Sequence, residues 1–308
     1  MDDDALYRDL ADLSDPVRAV AAQDALRAHR AYPLMVLAGP MFGVAEETPH
    51  GWQIISLGEA TPQCSRDDLA NHLRRLGPSE EYQEAARVLD WERHDEMTVA
   101  GRRFRVVRVE QVLRMNETEP EPPRPTDLDP RSAYDHPMEL LPAFPRSEPR
   151  SLLSTQFTAA LSRPGFLSDE ALNDAHRAAA THPFLFPMRP AFSVAEYLHD
   201  GWRAATAACP TPTHARNSLA DYLLNVLPVL EHPDPETAAA YARAAHLLTG
   251  ARLDELEVQG RRFRIVRLEK VARLGPDGPE LPRPSDFDPD PPVEILALQL
   301  KAEGLLEE

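Results

Sequence analysis

The residues of this chain best suited to chemistry are the arginines of two near-identical strands. GRRFRVVRVE at 101–110 returns as GRRFRIVRLE at 260–269, an offset of 159 residues. With two-residue turns at Ala100-Gly101 and Gln259-Gly260, the side-chain period of two sets the facing partners. Glu96 then faces Arg105, Glu255 faces Arg264 and Glu257 faces Arg262. Exposed cross-strand pairs of this kind contribute about 0.2–1 kcal/mol. Arg108 falls in phase with Phe104 and Val106, and Arg267 with Phe263 and Ile265, on the face that must be packed. There a guanidinium can reach the sheet rim and snorkel to water, or pair diagonally with Asp95 or Asp254. It can instead take Glu46 or Glu196, which fall in phase with Phe42 and Val44, and with Phe192 and Val194. The sharper alternative is a planar fork binding an anionic small molecule between the two halves. The candidate ligand residues are therefore Arg108, Arg267, Glu46, Glu196, Trp52 and Trp202; the two indoles follow turn glycines and serve as core staples or ligand platforms.

Other chemistry is sparse. His94 beside Asp95 is the most enzyme-like pair, but the second copy has Leu253 at that place, and no catalytic residue is assigned. PRPTDLDP and PRPSDFDPDP set Asp127, Asp129, Asp286, Asp288 and Asp290 two apart. Hard cations favour such oxygen clusters, but without the glycine and terminal glutamate of a calcium loop the expectation is a proline-stiffened, solvated turn. GxSxG, HExxH, GxGxxG and GxxxxGK[ST] motifs do not occur, and the lysines are Lys270 and Lys301 alone. Metal and cofactor are thus both read as none, while the absence of a motif leaves catalysis open.

Composition narrows the partners. A net charge of −17 repels phosphate backbones, and in GRRFR the aromatic belongs to the packed face, so nucleic acid is not expected. Cys64 and Cys209 form no CxxC, the start MDDDALYRDLADL is acidic where a secretory signal would be basic, and no apolar run approaches the ~18 residues of a membrane span. These features predict a cytoplasmic, non-membrane protein.

The elements that position the arginines come in two sets. LSDPVRAVAAQDALRAHRAYP from Leu13 returns as LSDEALNDAHRAAATHP from Leu167, four residues shorter, and PMFGVAEETPHGWQ returns as PAFSVAEYLHDGWR at an offset of 150. The extra nine residues of the later offset fall around VLPVLEHPDP. Each set reads as helix, hairpin, two helices, hairpin: an α+β fold of two tandem pseudo-symmetric repeats, each an antiparallel sheet covered by helices on one face. Pro40 and Pro190 imply a strand start or an edge, and Thr61-Pro62 and Thr211-Pro212 mark helix starts. The expected units are residues 1–130 and 167–292. Between them lies a proline-rich, partly helical linker at 131–166, with SLLSTQFTAALS as its helix, and an amphipathic helix closes the chain at 293–308.

The layout resembles an uncharacterised actinobacterial family, a domain of unknown function known chiefly from streptomycetes. The likeness is carried by the paired GRRFRVVR and GRRFRIVR strands, the AYP and THP helix ends, the HGW and DGW turns, and PRPTD with PRPSD, from Leu13 to Pro289. It implies an organism class and a cytoplasmic context, and assigns no activity to any residue. The function expected is non-catalytic: binding of a protein partner, or of the chain's own copy, through sheet edges or the groove between units.

Overall fold

A computed structural model describes residues 16–130, 139–143, 157, 168–199 and 201–306. Helix α1 (Pro16–Ala31) leads into β1 (Leu34–Thr48) and β2 (Gly51–Glu59), then α2 (Pro62–Leu76), α3 (Glu80–Trp91), β3 (Glu96–Val99) and β4 (Arg102–Met115). After the short β5 (Leu140–Pro142) come α4 (Asp169–Thr181), β6 (Phe184–Leu198), β7 (Gly201–Ala204) and α5 (Pro212–Asp221). A π-helical turn (Tyr222–Val226) continues into α6 (Leu227–Glu231), followed by α7 (Pro235–Ala251), β8 (Glu255–Val258), β9 (Arg261–Gly275), β10 (Gly278–Pro279) and α8 (Val293–Ala302).

Local chemistry explains the boundaries. Thr61 and Thr211 cap α2 and α5 by accepting from the backbone N–H of Cys64 and His214, each ahead of a proline in the first helical turn. The β3–β4 and β8–β9 turns place Ala100 and Gly101, and Gln259 and Gly260, at φ of 51, 75, 51 and 74°. Positive φ at both central residues is the primed turn whose twist matches a tight hairpin. Pro40 and Pro190 lie inside long strands, not at their starts. The β6–β9 ladder shifts register between Met188 and Ala191, a bulge that contains Pro190, while Pro40 stays paired opposite Glu110 just past the shift between Leu37 and Gly39.

Among the described residues all ten strands belong to one antiparallel sheet, with a central path β5-β2-β1-β4-β9-β6-β7. β4 meets β9 through five residue pairs centred on Gln111 opposite Lys270. Glu110 opposite Val271 puts the Phe104 side of β4 and the Phe263 side of β9 on the same face. On that face Val44 and Phe104 pack with Leu69, Leu73 and Leu89 of α2 and α3. Val194, Phe263 and Ile265 likewise pack with Leu219, Tyr241 and Leu248. Between them, Val112, Val271, Phe157 and Ala175 of α4 form the middle of the layer. The opposite face carries a buried cluster of Trp52, Ile54, Val107, Val109, Leu141, Met188 and Ala272.

The span read as linker supplies a strand: β5 pairs with Gly51–Gln53 of β2. The helix expected at SLLSTQFTAALS lies outside the described residues apart from Phe157, which is helical and buried. Helix α8 touches α3, and none of its own residues is buried. Among the described residues no helix is long and apolar enough to cross a membrane.

Candidate functional site

Beyond its five central pairs the β4–β9 seam opens, and the chain itself fills the gap. Past β9 the chain folds back through β10, and Glu280 sits between the strands: its N–H donates to the Arg273 carbonyl at 2.9 Å and its carbonyl accepts from Arg108 N at 2.9 Å. At the other end Glu121 donates to the Arg114 carbonyl at 2.8 Å and accepts from Arg267 N at 2.9 Å. Each tail thereby reaches into the opposite half, and its charged residues continue across.

Arg108 lies on the helix face, as its phase predicts, but is buried there and does not reach water at the rim. Its Nε donates to both oxygens of Asp286 at 3.0 Å, and Nη1 donates to Glu110. Arg283 joins them, with Nη2 3.1 Å from Glu110 and Nε 2.6 Å from Glu280. Arg273 completes the group, its Nε 3.9 Å from Glu280 and its guanidinium 5.2 Å from the Phe157 ring centre. None of these six side chains is more than 8% exposed. Three guanidiniums and three carboxylates leave no net charge, which is what makes burial tolerable.

The second group repeats the arrangement. Arg267 Nε donates to both oxygens of Asp127 at 3.1 Å and Nη1 to Glu269 at 3.4 Å. Arg124 holds Glu121 at 2.5 Å and Glu269 at 3.1 Å, and Arg114 Nε donates to Glu269 at 3.2 Å. Burial alone would raise the Glu110 carboxyl, but Arg108 and Arg283 outweigh it and hold that group below the usual carboxylate range. Glu269 is lowered in the same way, with Arg114 and Arg267 overcoming its desolvation. In Arg273 the balance goes the other way: burial lowers the guanidinium below its ordinary value despite Glu280.

The expected partners of these arginines are engaged elsewhere. The ladder sets Phe42 opposite Arg108 and Glu46 opposite Phe104, four residues or roughly 14 Å away along the strand. Glu46 instead clasps Arg102 at 2.6 and 2.7 Å, and Glu196 clasps Arg261 at 2.6 and 2.9 Å. Asp95 and Asp254 hold Arg66 and Arg216 at 2.8 and 3.0 Å. Glu96 and Glu255 do face Arg105 and Arg264, but those arginines are buried because the tails cover them. Arg105 donates to the Pro279 carbonyl at 2.8 Å, and Arg264 to that of Pro120 at 2.9 Å. Arg262 lies opposite Glu257 but turns to Glu119 at 2.5 Å.

The aspartates of PRPTD and PRPSD are likewise not solvated turns. Asp127 and Asp286 each accept from the backbone N–H three residues earlier at 2.7 Å and are only 5% and 4% exposed. Asp288 accepts from Gln63 N at 2.9 Å and meets Arg66 at 2.7 Å; Asp129 accepts from Thr213 N at 2.8 Å and meets Arg216 at 2.8 Å. Both acids sit at a helix start of the opposite half, where the exposed N–H groups favour an anion. The sequence held a signal for this: Asp127 and Asp286 share the 159-residue offset of Arg108 and Arg267.

Trp52 is buried and stacks on Arg103 and Arg105, each 5.2 Å from its ring centre. It also closes on the tail, since a Cβ built at Gly278 would lie 2.7 Å from its ring. Trp202 stacks on Arg262 and Arg264 and donates from Nε1 to the Thr118 carbonyl at 2.8 Å. Both indoles are tail clamps. His94 approaches Glu92 at 2.8 Å on the surface. A cavity of about 350 Å³ borders Arg108, Glu110, Asp286, Leu37 and Phe42, so the arginine does meet a cleft, with its fork already occupied. Among the described residues no group of three or more His, Cys, Asp or Glu is arranged to hold a metal ion.

The architecture is α+β, one ten-stranded antiparallel sheet with two internally neutralised charge clusters across its central seam. Residues 15–289 match a family of unknown function, DUF5954, and the chain belongs to that family. No curated protein and no solved structure matches it.

Proposed function

We propose that this chain is a non-catalytic protein-binding module made by internal duplication, with units at 1–130 and 167–292, a linker at 131–166 and a terminal helical segment at 293–308. Three features support the duplication. The matched blocks keep offsets of 150 and 159, the β4–β9 pairing centres on corresponding residues 159 apart, and the two charge clusters use corresponding residues. Occupied forks on Arg108 and Arg267 favour this reading over an anionic ligand held by those arginines. Their carboxylates make the clusters a lock between halves and leave partner binding to the surface.

The observation that carries the partner-binding reading is an apolar ridge in the second unit. Leu224, Val226, Val229 and Leu230 are 47, 38, 68 and 68% exposed along the π-helical turn and α6, and Leu247 of the adjoining α7 is 55% exposed. A concentration of large apolar side chains in water marks an interaction surface. Val226, Val229 and Leu230 fall in VLPVLEHPDP, where the second unit carries extra chain. The partner argued for is a second copy of the chain, joined ridge to ridge, in the cytoplasm, where the free thiols Cys64 and Cys209 would stay reduced.

Sedimentation equilibrium tests this. The wild type is expected to approach twice the monomer mass as its concentration rises, and Val229→Asp/Leu230→Asp to remain monomeric with an unchanged circular dichroism spectrum. Monomers at every concentration for both proteins would overturn the reading.

A further inference from the structure

The two sides of the seam are not equally filled on the face away from the helices. On one side Met188, Ile54 and Leu57 pack with Trp52, Val107, Val109, Ala272 and Leu141 into a closed cluster. By the 150 and 159 offsets, the corresponding positions on the other side are Ala38, Ala204 and Ala207, with Trp202, Val266, Leu268 and Leu113. These residues line a cavity of about 420 Å³. Ile54→Ala204, Leu57→Ala207 and Met188→Ala38 each remove a large side chain, and Ala208→Gly58 removes a methyl. Leu141 has no counterpart among the described residues. Ala272→Leu113 and Val109→Leu268 run the other way and refill only part of the space. Ala38, Ala204 and Ala207 are exposed, so the cavity is an open groove on this face of the sheet. A cavity of this volume with an apolar floor lies in the range of small-molecule sites.

We infer that this cavity is a binding site for a small, uncharged, mainly apolar molecule bearing one hydrogen-bonding group. The wall supplies Val266, Leu268, Leu113, Met41, the alanines and the Trp202 ring. Most of its polar groups are already committed: Trp202 Nε1 donates to the Thr118 carbonyl, Ser193 Oγ donates to the Thr206 carbonyl at 2.8 Å, and Thr206 Oγ1 accepts from Val194 N at 3.2 Å. Gln111 also lines the cavity, and its amide offers both a donor and an acceptor to the ligand's polar group. Glu59 and Arg203 both line the cavity, so the wall carries one group of each sign and favours an uncharged ligand. This inference draws on the duplication only to identify what was hollowed out; it does not depend on self-association through the ridge.

The probe is N-phenyl-1-naphthylamine, an uncharged apolar fluorophore, titrated into the full chain. Wild type is expected to bind one equivalent saturably, with quenching of tryptophan emission. Ala204→Ile/Ala207→Leu restores the side chains of the filled side and should raise the dissociation constant about tenfold or more. Ala38→Met approaches from the opposite wall and should have the same effect if the first variant fails to fold. Val229→Asp/Leu230→Asp should bind the probe as wild type does. No saturable binding by wild type, or binding unaffected by both folded cavity variants, overturns the inference. Binding lost only in the ridge variant overturns it too, and places the probe on the surface of the proposed dimer interface.

Discussion

Asp286→Ala removes the carboxylate that a crossing tail delivers to Arg108. In the native chain both Asp286 oxygens lie 3.0 Å from Arg108 Nε and one of them caps Arg283 N at 2.7 Å, with the aspartate side chain 4% exposed. Deleting one partner of a buried ion pair costs about 3–5 kcal/mol when the other is left uncompensated. Arg108 would keep Glu110, so the lower end applies, about 3 kcal/mol. For a chain of this size that is a fall in Tm of roughly 6 °C, at about 2 °C per kcal/mol. Asp127→Ala should cost about the same, because Arg267 likewise keeps only Glu269. Asp286→Asn preserves shape and one acceptor, and should lose about half as much. Arg87→Ala breaks a pair whose side chains are 62% and 59% exposed and should move Tm by no more than about 2 °C. Thermal unfolding followed by circular dichroism, with urea titration to check a constant m-value, measures all four. If Asp286→Ala and Asp127→Ala shift Tm no more than Arg87→Ala does, the tails are not locked by charge and the account of the seam fails.

The lowered Glu110 and Glu269 make stability depend on acid. Their folded-state values lie below those of the unfolded chain, so the unfolded state binds more protons, and the contribution is complete above about pH 4.5 and lost as pH falls through the folded values. Burial also holds the His72 and His182 imidazoles below their ordinary value, so the unfolded chain gains protons as pH falls from about 7. Urea midpoints should therefore decline gently to about pH 5 and more steeply below that, and a midpoint that rises on acidification refutes the assignment. Gly278→Ala should destabilise by about 1–3 kcal/mol, because its Cβ would meet the Trp52 ring at 2.7 Å at a φ of 126°, whereas Gly101→Ala enters open space and should cost only about 1 kcal/mol. Equal losses for the two glycines would remove the indole clamp from the argument. Trp202→Phe deletes the bond to the Thr118 carbonyl while keeping a ring over Arg262, and should cost about 1 kcal/mol in the same assay.

How far the sequence could be read depended on whether a contact was local. The turn at Ala100-Gly101, the facing of Glu96 by Arg105 and the placing of Arg108 on the face of Phe104 follow from a period of two and a primed turn, and all three hold, whereas Arg108 is buried instead of reaching water at the rim. The partner of Arg108 does not follow, because it stands 178 residues away on a tail whose path depends on how the two strands meet. Pairing β4 with β9 through five residues leaves both strands with unpaired N–H groups beyond the seam, and a buried backbone group must find an acceptor. Glu121 and Glu280 supply it, and their insertion brings PRPTD and PRPSD onto the opposite half. Once there, three carboxylates must meet three guanidiniums or neither set can be buried. The recurrence of arginine strand and aspartate turn at one offset is thus the sequence record of a contact between halves, and only the sheet register says which half each aspartate serves.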